Sequence, residues 1–577
     1  MVFPRALLGT VLLVFAAAVP RAQVVEPPAH HVDRIHVKLA EGSGAELRQG
    51  QLVSRTGVDL RRPAALFARV HAEPLFTALP WEGLDALHRQ ACACLPEGRR
   101  PGHLGLWFRL RTDGAAAATA LLAALAAEPL VEHAYLEPIP YGAGVAMATG
   151  DLPPTTPDYT ALQGAHQPNP VGHGLRLAHG MLGARGRNVG FRMIESSWIL
   201  DHEDVSQLTA ANFVGGVPPV DPTEANHGLS GTSLVIADRN EYGIVGVADE
   251  VDARFFAHNL NGGIENTMLL AMNNSAPGDV LMIVVMVLIP QLGPGAWLPL
   301  EFFQAAFDAT LTVTASGRHV VVPAGNGSRS LDDPQLLHRF DRSFRDSGAI
   351  LVGASDAGAL ARAQFSNWGA RIDAHSWGNN VVIAGYGTLF FPNGDVRQAY
   401  AGNGTGTSSA TPHIAGIVAA IQGAARRQTG QVLSNTQVLD LLHTHGVTTP
   451  DVIGRRPDLP AILTAIGAQD GLRAAQPDVP LGGTMAVTID GPAGSIAALY
   501  ASFGTLDLPI GFNRNVHLDI GNLIFLGAFL LPAGTAQWSW QVTNDPSLHG
   551  ADVYFQALRV DGTSPWHLTN SCQVTIL

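Results

Sequence analysis

Cysteine is almost missing from this chain of 577 residues, which holds only Cys92, Cys94 and Cys572. So low a count excludes a disulfide-held scaffold. Cys92 and Cys94 are too close in sequence for an easy bridge. No second pair lies elsewhere to complete a zinc site, so they read as small, partly buried residues. Charge is sparse as well. Charged residues make up 14% of the chain and hydrophobic residues 46%, which suits a packed core and not bulk disorder. The formal net charge of -13 leaves no cationic excess for phosphate backbones, so no nucleic-acid partner is expected. Long apolar runs are absent beyond the N-terminus. The longest, VLMIVVMVLI at 280–289, falls short of the roughly 18 residues of a membrane helix. It is rich in β-branched residues and stops at Pro290, so it reads as one strand buried on both faces of a parallel sheet. There is no internal repeat and no glycine-rich phosphate loop at a strand–helix junction. His443 and His445 are two apart and do not share a helix face, so they are not a metal pair. No cofactor and no metal are expected.

What is present falls into successive units. Residues 1–22 combine one early cation, Arg5, with the apolar ALLGTVLLVFAAAV and small residues near Ala18 and Ala22. This is the pattern of a secretory signal, too short to span a bilayer well, and it predicts a secreted protein that is free of the membrane once the signal is removed. Residues 23–145 mix strand-like segments (HVDRIHVKL, HLGLWFRLR, VEHAYLEP) with alanine-rich helical ones, a small α+β pattern. A Gly/Pro/Thr-rich stretch follows, GAGVAMATGDLPPTTP, and reads as exposed; the linker is set at 146–164. Residues 165–470 alternate strand-like runs (VGFRMIE, DARFFAH, DVLMIVVMVLI, RHVVVPAGN, GAILVGAS, NNVVIAGYG) with helical runs such as LEFFQAAFDATLTVTASG. That alternation predicts an α/β unit with a mostly parallel sheet flanked by helices. Residues 475–577 change to short alternating strands separated by Gly, Pro and Asn turns, the pattern of an all-β sandwich.

One segment stands out chemically. GTGTSSATPHIAGIVAAIQ, residues 404–422, sets a tight turn ahead of Ser408 and then opens a small-residue helix, with Pro412 expected in its first turn. A serine there has an exposed hydroxyl and a backbone N–H directed at developing negative charge. GTSSATPHIAG resembles the serine signature of the subtilisin-like (S8) serine peptidases. The resemblance covers roughly 165–465 and implies the subtilisin-like fold, with Ser408 as nucleophile. VVVPAGNGS at 320–328 resembles the family's Ala-Gly-Asn segment, which implies Asn326 as the oxyanion-hole donor. NHGLSGTSLVIADRNEYGIVGVAD resembles its histidine segment; His227 and Gly228 match, and Leu229 stands where threonine is usual. HEDV at 202–205 fits the family's loop after the acid, and counting back places Glu195 at the aspartate position, without the glycine that usually follows. The resemblance therefore implies a Ser408/His227/Glu195 triad acting on an extended polypeptide, with Asp201 and Asp204 as weaker candidates for the acid. It implies that the N-terminal module is a propeptide, and hence a zymogen. A second reading is an inactive relative on the same fold that serves as an extracellular binding module.

Overall fold

The apolar run that ends on Glu195 forms strand β1 (Gly190–Glu195), and all six of its residues are buried. A strand buried on both faces belongs inside a parallel sheet. In the computed structural model, which describes residues 30–95, 100–138, 151–221, 224–508, 514–560 and 567–577, β1 lies between two parallel neighbours. These are β2 (Asp252–Ala257) and β3 (Val280–Ile283). The sheet continues in parallel through β4 (His319–Pro323), β5 (Ile350–Ser355), β6 (Ala374–Trp377) and β7 (Arg455–Pro457). A short antiparallel strand, Gly446–Thr448, closes that edge.

Alternate residues of these strands enter two cores. Met193, Met282, Val321 and Ile350 face helix α1 (Ala225–Ile236) and helix α4 (Thr407–Ala424). Ile194, Ile283, Val322 and Leu351 face helix α2 (Ile264–Asn273) and helix α3 (Gln304–Ala315). The period of two along each strand produces this partition. Every residue of α4 is buried. Ile417, Val418 and Ile421 each contribute about 1.5–3 kcal/mol by burial.

Two apolar runs depart from expectation. The 280–289 run is not one strand: β3 ends at Ile283, and Met286–Leu288 turns away to pair antiparallel with Trp297–Pro299. Only 280–282 has partners on both sides in the sheet, and Ile283 pairs with Ile194 alone. The other is Val381–Ala384, which stays outside the sheet and pairs antiparallel with Tyr400–Gly404. In both cases apolar composition marks burial but not the partner strand.

The N-terminal unit has a four-stranded antiparallel sheet in the order 71–74, 107–111, 30–39, 131–138. It docks on α2 and α3. Asn266 Oδ1 accepts from the Thr77 and Ala78 amides at 2.6 and 2.9 Å, and Tyr135 Oη accepts from Ala305 N at 3.0 Å. Leu75, Phe76 and Trp107 join the core beneath. The 1–22 segment, residues 139–145 at the end of the first module, and residues 146–150 of the linker lie outside the described residues. Past them, Thr156 is buried and its hydroxyl donates to Glu203.

The C-terminal unit is a sandwich of a three-stranded and a five-stranded sheet, beginning at Leu472. It is tied to the central unit by backbone bonds, Gln573 N to Gly180 O at 2.8 Å and Leu182 N to Ser571 O at 3.2 Å. Gln428 adds a side-chain bond, donating to Ser571 O at 3.0 Å. Among the described residues no helix is long and apolar enough to cross a membrane.

Candidate active site

The site lies at the carboxyl ends of the parallel strands, the usual place for chemistry in such sheets. Four elements converge there: the end of β1, the first turn of α1, the loop after β4, and the first turn of α4.

Glu195 is fully buried, and its Oε2 accepts from His227 Nδ1 at 2.9 Å. An ionised carboxylate can only accept, so the Nδ1 position carries the proton and Nε2 is left as a base. Glu195 Oε1 accepts from the Ser196 amide at 2.8 Å, which fixes the carboxylate's other edge. The imidazole is about one-fifth exposed. Burial works against its charged form, but the bond to Glu195 and the charges of Glu195 and Glu224 outweigh this and raise its pKa.

Gly228 explains the close fit of α1 to the strand end. A Cβ there would lie 2.0 Å from Ser197 O and 3.0 Å from the Trp198 ring. Leu229 is fully buried in the core that also holds Trp198 and Val284, so the unusual residue at this position packs inward. The role of tying the helix together falls to Thr232, whose hydroxyl donates to Gly228 O at 2.7 Å and accepts from Trp198 Nε1 at 3.1 Å.

The serine side is built from backbone. Gly406 precedes α4 with φ 109°, a conformation that excludes most side chains. A Cβ at Gly406 would meet Ser408 Oγ at 2.9 Å, Asn326 Nδ2 at 3.3 Å and Ser408 N at 3.6 Å. One small space is therefore faced by a hydroxyl, a side-chain amide and a helix-start N–H. Asn326 is held in that orientation by Thr407, whose amide and hydroxyl donate to Asn326 Oδ1 at 2.9 and 2.8 Å. The loop carrying Asn326 is fastened by buried Asn367, which donates to Ala324 O at 2.7 Å and accepts from Gly327 N at 3.1 Å. Pro412 is not in the first turn as expected: α4 starts at Thr407, which puts Pro412 in the second turn. Having no N–H, it cannot bond the Ser408 carbonyl one turn back.

The structure thus joins Glu195 to His227, and Asn326 to the Ser408 turn. Among the described residues no hydrogen bond joins Ser408 Oγ to His227. Asp204 is buried and bonded to Asn240 Nδ2 at 2.9 Å and Ile244 N at 2.7 Å, and Asp201 sits in a turn at φ 56°. Neither bonds His227. Three residues escaped sequence reasoning: Thr407, Ser196 and Glu224. Glu224 left one usable signal, an acid one helical turn before a candidate base. Among the described residues no group of three or more His, Cys, Asp or Glu could hold a metal ion.

Residues 200–450 match the Subtilase family, Peptidase S8. His227, Asn326 and Ser408 fall inside that span, and Glu195 lies five residues before it. Alkaline elastase YaB of Bacillus sp. (strain YaB) is 27% identical to the chain over 266 residues, covering 44% of this chain and 58% of the elastase. Subtilisin Savinase of Lederbergia lenta is 27% identical over 262 residues, covering 44% of this chain and 82% of Savinase. The chain therefore spans less than two thirds of the elastase's length. The epidermin leader peptide processing serine protease from Staphylococcus aureus aligns with 62% of the chain and 91% of its own, at 14% identity and a TM-score of 0.42. The matched span holds β2 to β6 and helices α1 to α4; β1, β7, the N-terminal unit and the sandwich lie outside it.

Proposed function

We propose that this chain is a secreted serine endopeptidase that hydrolyses extended polypeptides through Ser408, His227 and Glu195. Ser408 Oγ attacks the peptide carbonyl while His227 Nε2 takes its proton. The carbonyl oxygen, now an anion, is met by Ser408 N–H and Asn326 Nδ2. His227 returns the proton to the leaving amine, and water resolves the acyl-enzyme by the same steps in reverse. Glu195 holds the imidazole tautomer and offsets the imidazolium charge. The extra methylene of glutamate is accommodated because the carboxylate is fastened on both edges, by Ser196 N and by His227. Residues 23–145 act as the propeptide, released within the linker, and the leader at 1–22 directs export.

The observation that carries this reading is the shared space above Gly406, faced by Ser408 Oγ, Ser408 N and Asn326 Nδ2 within 2.9–3.6 Å. A serine that merely capped a helix would have no need of a second, separately anchored donor 82 residues away. The test is hydrolysis of casein by the full chain beside Ser408→Ala. Wild type should cleave, and the variant should fall by about 10³-fold or more. Equal residual rates in both would refute the reading.

A further inference from the structure

The side chains around Glu195 include a second acid that the triad does not use. Ser196 Oγ donates to Glu224 Oε2 and lies 3.3 Å from Glu195 Oε1. One hydroxyl thus bridges two carboxylates, one of which holds His227. Glu224 directly precedes α1, and its carbonyl accepts from His227 N at 3.0 Å. The bridge is short and local: Ser196 directly follows the end of β1, and Glu224 directly precedes α1. A hydroxyl has one proton to give. The Glu224 contact takes it, and Glu195 is left to direct its charge at the imidazole.

We infer that Glu224 is a positioning residue of this site: its charge, coupled through the Ser196 hydroxyl, sets the pH at which His227 becomes available as a base. The inference rests on the reading of His227 as that base. Four further titratable groups lie near. Glu195 is the direct partner. His258 donates its backbone N–H to Glu195 O at 3.0 Å, and burial lowers its imidazole to about 4, so it is neutral near pH 7. Tyr386 has its phenol pushed up to about 12 by burial and by the charges of Glu195 and Glu224, so it too is neutral there. Asp221 is exposed, and its carbonyl accepts from Glu224 N at 3.0 Å. The charges next to the imidazole are then Glu195 and Glu224, and both favour its protonated form. Removing one must release the proton more readily, so the free base persists to lower pH.

The test is the pH dependence of kcat/KM for wild type, Glu224→Gln, Glu224→Asp and Ser196→Ala, with a [13C]histidine NMR titration of His227 assigned by His227→Asn. For Glu224→Gln, the acid limb should move down by about 0.5–1 pH unit, raising plateau-normalised kcat/KM on that limb about 3–10-fold. Glu224→Asp should keep the wild-type limb. Ser196→Ala should lower kcat several-fold with KM unchanged. The NMR titration should show the same downward movement in Glu224→Gln. Superimposable limbs and titrations for wild type and Glu224→Gln would overturn the inference. A wild type that hydrolyses nothing, but whose His227 titration still moves in Glu224→Gln, would instead sink the peptidase reading and leave the coupling standing. Should Glu224→Gln not accumulate as folded protein, Glu224→Ala removes the same charge and must move the titration the same way.

Discussion

Ser408 and Asn326 sit on a turn that glycine backbone sets, whereas Glu195 and His227 meet through a bond between their own side chains, with the Ser196 amide on the carboxylate's other edge. On the serine side, Gly406 at φ 109° and the start of α4 set the geometry, and Thr407 locks Asn326 with two bonds to one oxygen. On the acid side, a flexible glutamate is pinned by Ser196 and by His227 itself. Backbone geometry allows few residue types, so the serine side reads as a recognisable run of small residues. Side-chain pinning allows substitution, so the acid side can carry a longer acid, two serines and an inward-facing Leu229 and still close the same bond.

The comparison predicts unequal sensitivity. The largest effect is expected at the acid itself. Glu195→Gln keeps the shape but no longer fixes the Nδ1–H tautomer, and kcat should fall by about 10³–10⁴-fold with the fold intact by circular dichroism. A loss below about tenfold would mean that another acid serves His227. Asn326→Ala removes one oxyanion donor and should cost about 10²–10³-fold in kcat with little change in KM. Thr407→Ala removes the hydroxyl bond but keeps the backbone amide on Asn326 Oδ1, so the asparagine amide is held by one bond instead of two, and a loss of roughly tenfold in kcat is expected from about 1–1.5 kcal/mol for the lost bond. If Thr407→Ala costs as much as Asn326→Ala, the asparagine is held only by Thr407. If it costs nothing, the loop anchored by Asn367 suffices.

The smallest effect per group, but the broadest, concerns pH and stability. Burial holds His202, His258, His319 and His413 near about 4, and His179 and His375 near about 3. Unfolded, each titrates near about 6.5. Between those values the unfolded chain binds more protons than the folded one, so stability is full above about pH 6.5 and falls as pH drops through this window. His227 runs the other way: its pKa is raised, so its contribution is present at low pH and lost as pH rises through the folded value. Burial lowers His166 and His173 as well, so among the histidines the depressed groups outnumber the one raised, and the direction they set is acid lability. Thermal unfolding between pH 7.5 and 4.5 should show a falling Tm, and a Tm that rose on acidification would contradict the burial of these histidines. Hydrolysis should itself lose activity on the acid side at a pH above the ordinary histidine value, because His227 must be neutral to act.

The central sheet was legible because fully buried parallel strands are mostly apolar, as in VLMI and HVVVP, with GFRMIE interrupted only by Arg192 before its terminal Glu195. The same property hid the break at Ile283, since Val284 to Leu288 is as apolar as what precedes it and only pairing distinguishes the two. Ser408, Asn326 and His227 were legible because glycine and small residues around them mark tight backbone. Glu195 was legible only by position relative to HEDV. Thr407, Ser196 and Glu224 were not, because each acts across a contact between separate elements: Thr407 with Asn326, and Ser196 with Glu224. Nothing in local pattern encodes such a pairing. Pro412 was misplaced by one turn because the helix begins on the threonine just before Ser408, where backbone donors bond to Asn326 and not to a side-chain cap.

The central claim is that Ser408 is an activated nucleophile, and a fluorophosphonate probe tests it most directly. The folded, processed wild type should be labelled at pH 8, with the adduct mapped to the peptide containing Ser408. Labelling should vanish in Ser408→Ala and slow by orders of magnitude in Glu195→Gln. A wild type that stays unlabelled, or an adduct that persists in Ser408→Ala, would contradict the account.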